Sequence, residues 1–462
     1  MSRKALLLSD FGSTFTKLCA VDPEHEEVIG TASSFTTIET DIHDGFQNAL
    51  EILEEQTGEL DIIKHTSCSS AAGGLRMLVS GLVPELTSEA AKTAALGAGA
   101  KVVKVFAHEL TDEDLELIDE LNPDIFLLTG GTDGGNKSCI LENAEALADI
   151  KFSKPIIVAG NRSANRKIRK IFEEAGLDFT ICANVMPRLD DLNIKEAQDE
   201  IRKVFLAEIV KAKGLSRIKG MISNILLPTP ASLLAAMQLL AEGTEEEVGL
   251  GDLIAADPGG ATTDVYSLAD GAPQDMNTVM KGLPEPFAKR TVEGDIGMRY
   301  SLKGILEAAG VETVAERASL TVEETLDLCE DLATHTYKVP QDEKLARLDN
   351  ALVASALEIA IDRHCGTVDE VYTPMGKAYA QTGKDLRHVK RLILTGGAVI
   401  NSKEPHDLAK YVAWNPQKPY SLRPKELHVY LDKKYILSAM GVLSQDHPNM
   451  ALRIMKKELV KL

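Results

Sequence analysis

The strongest constraint on how this chain can fold is that one short pattern occurs twice. Residues 253–268, LIAADPGGATTDVYSL, run from an apolar stretch into the tip Asp257-Pro258-Gly259-Gly260-Ala261-Thr262-Thr263-Asp264 and leave through an alternating stretch. Residues 4–22, KALLLSDFGSTFTKLCAVD, do the same around the tip Asp10-Phe11-Gly12-Ser13-Thr14, with Thr16, Leu18 and Ala20 alternating on the way out. Two β-type runs around a glycine-containing tip predict a hairpin in each place. Each hairpin is followed at similar spacing by an apolar run ending in Leu-Thr-Gly-Gly. The first is NPDIFLLTGGTDGG, with Thr129-Gly130-Gly131, and the second is VKRLILTGGAVI, with Thr395-Gly396-Gly397. Elements repeated in one order at a long period mark a duplicated domain. Matching one LTGG to the other places them at equivalent points of the two halves.

Between these marks strands and helices alternate, which predicts α/β domains with largely buried sheets. TSEAAKTAALGAGAKVV reads as a helix capped by Thr87 or Ser88, then a strand over 102–106. PIIVAGNRSANRKIRKIFEEAG reads as strand, Gly-Asn turn and a helix ending at Gly176. Residues 189–214 predict a long helix with Ile194, Ala197, Ile201, Val204, Phe205 and Ile209 on one face, started by Asp190 or Asn193. TPASLLAAMQLLAEG follows as a helix with Thr229 as cap, Pro230 at its first position and Gly243 beyond its end. The expected organisation is an N-terminal lobe over 1–188, a helical connector over 189–250 and a C-terminal lobe over 251–445. A helical insertion falls near 303–365, and residues 446–462 form a basic C-terminal helix that docks by Leu452, Met455 and Leu459.

At 462 residues the chain is long enough for two or more cores. Its formal net charge of −20 argues against a nucleic-acid or anionic-membrane partner, since nothing would offset phosphate repulsion. Its six cysteines, Cys19, Cys68, Cys139, Cys182, Cys329 and Cys365, are far apart, with no C-x-x-C and no zinc or iron–sulfur spacing. Sparse cysteines of this kind predict a reducing, cytoplasmic setting. The opening MSRKALLLSDFG has too short an apolar run for a secretory signal, and no long apolar stretch predicts a membrane span.

Glycine at a hairpin tip lets backbone N–H groups reach an anion, and Ser or Thr hydroxyls add donors to phosphate oxygens. An Asp at the end of the incoming strand repels phosphate directly, but it can hold the water shell of a Mg²⁺ or orient an attacking water. Two such tips predict a two-sided phosphate clamp. No G-x-x-x-x-G-K-[ST] is present, and no strong G-x-G-x-x-G opens a helix after a strand. A P-loop is therefore excluded and a dinucleotide fold disfavoured.

The set Asp10-Phe-Gly-Ser-Thr, Asp257-Pro-Gly-Gly-Ala-Thr-Thr-Asp and Leu394-Thr-Gly-Gly-Ala resembles the phosphate-1, phosphate-2 and adenosine motifs of the actin-like ATPase superfamily. That resemblance implies two ribonuclease-H-like lobes, internally duplicated, with a nucleotide cleft between them. More narrowly, DFGSTFTK, LLTGGTDGGNK, AGNRSAN, VMPRLDDLNIKEAQDEIRKVF, DPGGATTDVYS and TVEGDIGMRYS together resemble the MutL/GlmL family of glutamate mutase accessory proteins. The resemblance implies an ATP-dependent reactivating chaperone and slow ATPase whose partners are adenosylcobalamin-dependent mutases or aminomutases. It implies ATP and Mg²⁺ as cofactors. Asp10 and Asp257 would act in catalysis and hold the metal through water, and Asp264 would be a further acid that positions water. Gly12, Ser13, Thr14, Gly259, Gly260, Thr262 and Thr263 would bind phosphate, and Gly396 and Gly397 would pack on adenosine. Pro258 departs from the pattern by removing a backbone donor.

Other functions share this clamp: a kinase for a carboxylate or hydroxyl acceptor, a hydantoinase-like hydrolase, or an activator of a radical dehydratase. The last holds an iron–sulfur cluster for which this chain lacks the cysteines. Self-association into a homo-oligomer stays open. So do the roles of Thr129–Asn136, either a ligand loop or a satisfied turn, and of Thr291–Gly297. The latter sets Glu293 and Asp295 near Arg290 and Arg299 in sequence, as a nucleotide-contacting loop or as one held by local ion pairs. The small-residue loop 67–74 is a candidate anion site. Cys68 has no matched His and reads as structural.

Overall fold

A computed structural model of the chain describes residues 2–12, 15–35, 42–70, 75–212, 224–374 and 376–462. The expected phosphate ligands Ser13 and Thr14, and the end of the 67–74 loop, lie outside the described residues. The chain divides into two compact units, Met1–Ala235 with Ser438–Met450, and Ala236–Leu437 with Ala451–Leu462. It passes from the first to the second within the helix Thr229–Glu242.

The first unit contains β1 (Arg3–Phe11), β2 (Phe15–Asp22), β3 (Glu27–Phe35), β4 (Leu60–Ser69), β5 (Arg76–Gly81), β6 (Lys101–Ala107), β7 (Ile125–Leu128), β8 (Ile156–Val158), β9 (Phe179–Ile181) and β10 (Asn224–Pro228). One sheet has the order β10-β4-β1-β2-β3. Its β1, β2 and β3 form an antiparallel meander, and β4 and β10 join in parallel. The middle strand β1 is apolar almost throughout because both of its faces are covered: residues 5–11 are all buried. The remaining strands form a second, wholly parallel sheet in the order β6-β5-β7-β8-β9. Counting from β5, this is the 2-1-3-4-5 order of a doubly wound domain, set into the chain between β4 and β10.

The second unit contains β11 (Leu253–Pro258), β12 (Thr263–Leu268), β13 (Thr278–Met280), β14 (Ala288–Glu293), β15 (Thr367–Thr373), β16 (Gly376–Thr382), β17 (Arg391–Leu394), β18 (His428–Leu431) and β19 (Val460–Lys461). Its main sheet runs β14-β12-β11-β17-β18-β19. Again β11, β12 and β14 form an antiparallel meander, and β17 and β18 join in parallel. A meander of three plus two parallel strands, present once in each unit, is a ribonuclease-H-like core built twice. The chain is therefore an α/β protein of two ribonuclease-H-like lobes with internal duplication.

This topology corrects one expectation. The first-unit counterpart of β17 is β4, the strand that joins β1 in parallel, and not β7. The Thr129-Gly130-Gly131 turn belongs to the inserted parallel sheet, while β4 ends in Ser67-Cys68-Ser69. The shared tetrapeptide has a local cause. A short buried parallel strand that turns at once toward a helix needs residues free to take positive φ. Gly130 (φ 150), Gly131 (φ 70) and Gly396 (φ 103) do so.

Helices Leu302–Ala309, Val311–Ala318, Val322–Thr334 and Glu343–His364 follow β14. The long helix buries Leu348, Leu352, Ala356 and Ile361 in one core with Ile254, Ala256 and Val265 of the main sheet. At the C-terminus, helix Pro448–Glu458 buries Leu452 and Met455 as expected, whereas Leu459 lies past its end and is half-buried, and β19 then adds to the sheet edge beside β18. Among the described residues no helix is long and apolar enough to cross a membrane.

Candidate functional site

The two marked hairpins have the same register. In the first, Asp10 faces Lys17 and Phe11 faces Thr16, and the turn closes with Gly12 N–H donating to the Phe15 carbonyl at 3.1 Å. In the second, Asp257 faces Asp264 and Pro258 faces Thr263, and Gly259 N–H donates to the Thr262 carbonyl at 2.8 Å. The Asp stands at the next-to-last pair before each turn. The residue across from it is the difference, a lysine in one and an aspartate in the other.

Asp10 is buried, at 2% exposure. Its carboxylate accepts from Thr229 Oγ1 at 2.6 Å and from Ser438 Oγ at 3.0 Å, and Lys17 Nζ lies 3.7 Å away. Helices Thr229–Glu242 and Leu437–Leu443 bring the two hydroxyls together. Ser232 Oγ donates to the Ser438 carbonyl at 2.7 Å, and a Cβ on Gly441 would fall 1.8 Å from the Ser232 carbonyl oxygen. Sequence reasoning read Thr229 only as a helix cap and did not single out Lys17 or Ser438. A Lys seven residues after Asp10, opposite it across a hairpin, was a usable signal. Ser438, 428 residues away, gave none. Cys68 on β4 faces Asp10 in register. Burial, and then the charge of Asp10, push its thiol well above the ordinary range, so it is a structural thiol.

In the second unit, Asp264 is tied at 2.6 Å to Arg290, and both side chains are nearly buried. Thr262 Oγ1 also donates to Asp264, at 3.2 Å. Tyr266 lies fully buried beside them, and burial followed by Asp264 holds its phenol well above its usual value. Thr263 is buried and donates to the Ile296 carbonyl at 2.9 Å. The adenosine-type turn lies against the phosphate-type turn. A Cβ on Gly396 would fall 2.7 Å from Asp257 Oδ1 and 3.0 Å from the Pro258 carbonyl oxygen. At φ 103 any side chain there is strained as well. Gly397 faces open space. Thr395 Oγ1 donates to Asp432 at 3.1 Å, and Asp432 in turn accepts from the amides of Ile436 and Leu437.

The loop after β14 packs on this turn. Met298 N–H donates to the Gly259 carbonyl at 3.0 Å, and Arg299 and Tyr300 N–H both donate to Gly260 at 2.9 Å. Ser301 Oγ donates to the Ala261 carbonyl at 2.8 Å. With its carbonyls drawn to one side, the turn keeps its amides: among the described residues neither Gly260 nor Ala261 N–H has an acceptor. Adjacent free amides of this kind form an anion-binding concavity. The ion pairs of the loop differ from expectation. Glu293 and Asp295 pair with Arg363 at 2.7 and 2.8 Å, Arg290 with Asp264, and Arg299 with Asp349. Arg290 and Glu293, three apart in β14, point to opposite faces, and Arg299 lies beyond the strand and is drawn to the long helix instead.

The Thr129–Asn136 loop is a satisfied turn. Buried Asn161 accepts from Gly134 N–H and donates to the carbonyls of Gly135 and Asn136, while Asn184 donates to Gly131 and Asp133. Among the described residues no group of three or more His, Cys, Asp or Glu could hold a metal directly. The carboxylates near the two turns fit a divalent cation only through water and phosphate oxygens, as Mg²⁺ prefers.

Solved structures similar to the chain include an activator of the 2-hydroxyisocaproyl-CoA dehydratase from Clostridium difficile with bound ADPNP. It is 10% identical with a TM-score of 0.33, over 98% of this chain and 97% of that one. Plasmodium falciparum glycerol kinase with ADP is 11% identical with a TM-score of 0.35, over 100% and 94%. Scores so low leave the fold assignment to the sheet topology itself. Sequence similarity is far closer: Protein MutL of Clostridium tetanomorphum is 49% identical over 459 residues, 99% of each chain. The MutL protein family pattern matches residues 6–459, so nearly the whole chain, both hairpins included, belongs to the MutL family.

Proposed function

We propose that this chain is an ATP-binding accessory protein that works as a reactivating chaperone for an adenosylcobalamin-dependent glutamate mutase or aminomutase. The observation that supports it most is the pair of hairpins of identical register, each with an Asp at the same place before a glycine turn. In this reading the Gly260 and Ala261 amides and Thr262 bind phosphate, with Gly12, Ser13 and Thr14 as the second phosphate-binding element. Lys17 supplies a positive charge beside Asp10. Asp10 and Asp257 would hold Mg²⁺ through its waters, and the ion would supply positive charge against the phosphate oxygens. Gly397 leaves room for the adenosine, and Gly396 keeps that turn against Asp257. Asp264 serves the site by balancing Arg290 beneath it. Hydrolysis is slow, and the nucleotide acts by favouring one conformation over another. The six buried cysteines form no disulfide with one another, which suits a cytoplasmic protein.

Phosphate release from MgATP, with and without a mutase carrying an inactivated cofactor, tests the proposal. Slow basal release that the inactivated mutase accelerates, with recovery of mutase activity, is the expected outcome. Release indifferent to the mutase overturns the chaperone role and directs the search to small acceptors.

A further inference from the structure

The contacts of residues 294–301 carry an inference that rests on the nucleotide reading and extends it to regulation. We propose that this segment is a strap that transmits occupancy of the Gly259–Thr262 turn to the helices of residues 302–364.

Backbone amides 298–300 and the Ser301 hydroxyl bond the strap to the turn. Gly259, Gly260 and Ala261 each give a carbonyl oxygen to Met298, Arg299, Tyr300 or Ser301, at 2.8–3.0 Å. Contact between the backbones is close. A Cβ on Gly297 would lie 2.4 Å from the Ala261 carbonyl, and one on Gly304 would lie 1.8 Å from the Asp295 carbonyl oxygen. The side chains of the same stretch hold it to the helical region. Arg299, nearly buried, pairs with Asp349 of helix Glu343–His364 at 2.8 Å and donates to the Lys338 carbonyl at 3.2 Å. Ile296, Met298, Leu302 and Ile305 are buried in one core with Leu348 and Leu352.

No slack separates the turn from the helices. An anion drawn into the Gly260 and Ala261 amides must either leave the turn unmoved or carry the strap with it, because the alternative breaks four short hydrogen bonds at once. Close-packed interiors pass such a displacement on rather than absorb it. Arg299 sits where the shift of the turn becomes a shift of helix Glu343–His364, against which Val311–Ala318 is packed. Those helices are the element that the nucleotide biases.

Hydrogen exchange of the full chain, with and without the magnesium complex of the non-hydrolysable analogue AMPPNP, tests the strap. In the wild type, AMPPNP should slow exchange in 311–318 and 322–334 by about tenfold. The pair Arg299→Met with Asp349→Leu removes both charges together. It should bind AMPPNP within about threefold of wild type by calorimetry. The turn at 257–264 should stay protected in this variant while the helical response largely disappears. An undiminished helical response overturns the proposal. Should the double variant fail to fold, Ser301→Ala, which removes only the hydroxyl bonds to Ala261 and Gly294, should show a partial loss of the helical response. Absence of AMPPNP binding to wild type defeats the nucleotide reading, and the strap with it. Binding with an unchanged helical response in the variants defeats the strap alone.

Discussion

Thr229 was predicted to cap a helix, and its hydroxyl instead donates to Asp10. A hydrogen bond to a buried carboxylate contributes about 1.5–3 kcal/mol. Thr229→Val should therefore lower MgATP turnover by about 10- to 100-fold if the bond orients Asp10 fully, with circular dichroism unchanged and Thr229→Ser close to wild type. Arg290 illustrates a different kind of dependence. Removing it alone leaves Asp264 buried and unpaired, so Arg290→Met should cost about 3–5 kcal/mol in urea unfolding. Arg290→Met with Asp264→Leu should recover much of that, because both charges leave together. Gly396→Ala combines positive-φ strain with a Cβ 2.7 Å from Asp257 Oδ1, and should weaken MgATP binding as well as stability. Of these residues, Asp257, Asp264 and Gly396 were visible from their motifs. Ser438 was not, because it reaches Asp10 from the far end of the chain, and Arg290 was set beside Glu293 and Asp295 rather than beside Asp264, which it meets across the paired strands β12 and β14.

At the scale of elements, the hairpins were the legible part: the Asp position, the glycine turn and the alternation of the return strand all follow from period and turn chemistry. The two LTGG turns were misleading, since a strand-to-helix turn makes the same local demand in any parallel sheet. Helix Val322–Thr334 offers a pH test. Thr321 and Glu324 form a capping box, and Lys344 pairs with Glu324 at 2.8 Å. The Lys344 hydrogen bond, and then the Thr321 amide, lower the Glu324 carboxyl from 4.5 to about 2. A carboxylate with a depressed folded value stabilises above its unfolded value, and the contribution fades as pH falls through the folded one. Glu324→Gln should therefore reduce thermal stability above about pH 4.5, and the difference from wild type should vanish below about pH 2. A constant difference across that range would mean the pair contributes nothing to the pH profile.

For the whole molecule, nucleotide binding should register as stability. A ligand at about a hundred times its dissociation constant adds about 2.7 kcal/mol to the folded state. MgATP should therefore raise the unfolding midpoint by a few degrees, and Asp257→Ala should abolish the shift. An equal shift in that variant would remove Asp257 from the site. The amino-acid sequence by itself determined the α/β class, the duplication, the two hairpins and the family. Each of these is written in short stretches whose period, turn residues and order depend only on neighbours along the chain. Only the tertiary structure decided that β4 is the first-unit counterpart of β17 and that a doubly wound sheet intervenes. It also decided that Thr229 and Ser438 hold Asp10, that Asp264 is paired with Arg290, and that the 294–301 segment grips the phosphate turn. These are contacts between residues far apart in sequence, and which of several acceptable partners meets a buried carboxylate or a turn carbonyl is set by the packing of whole elements.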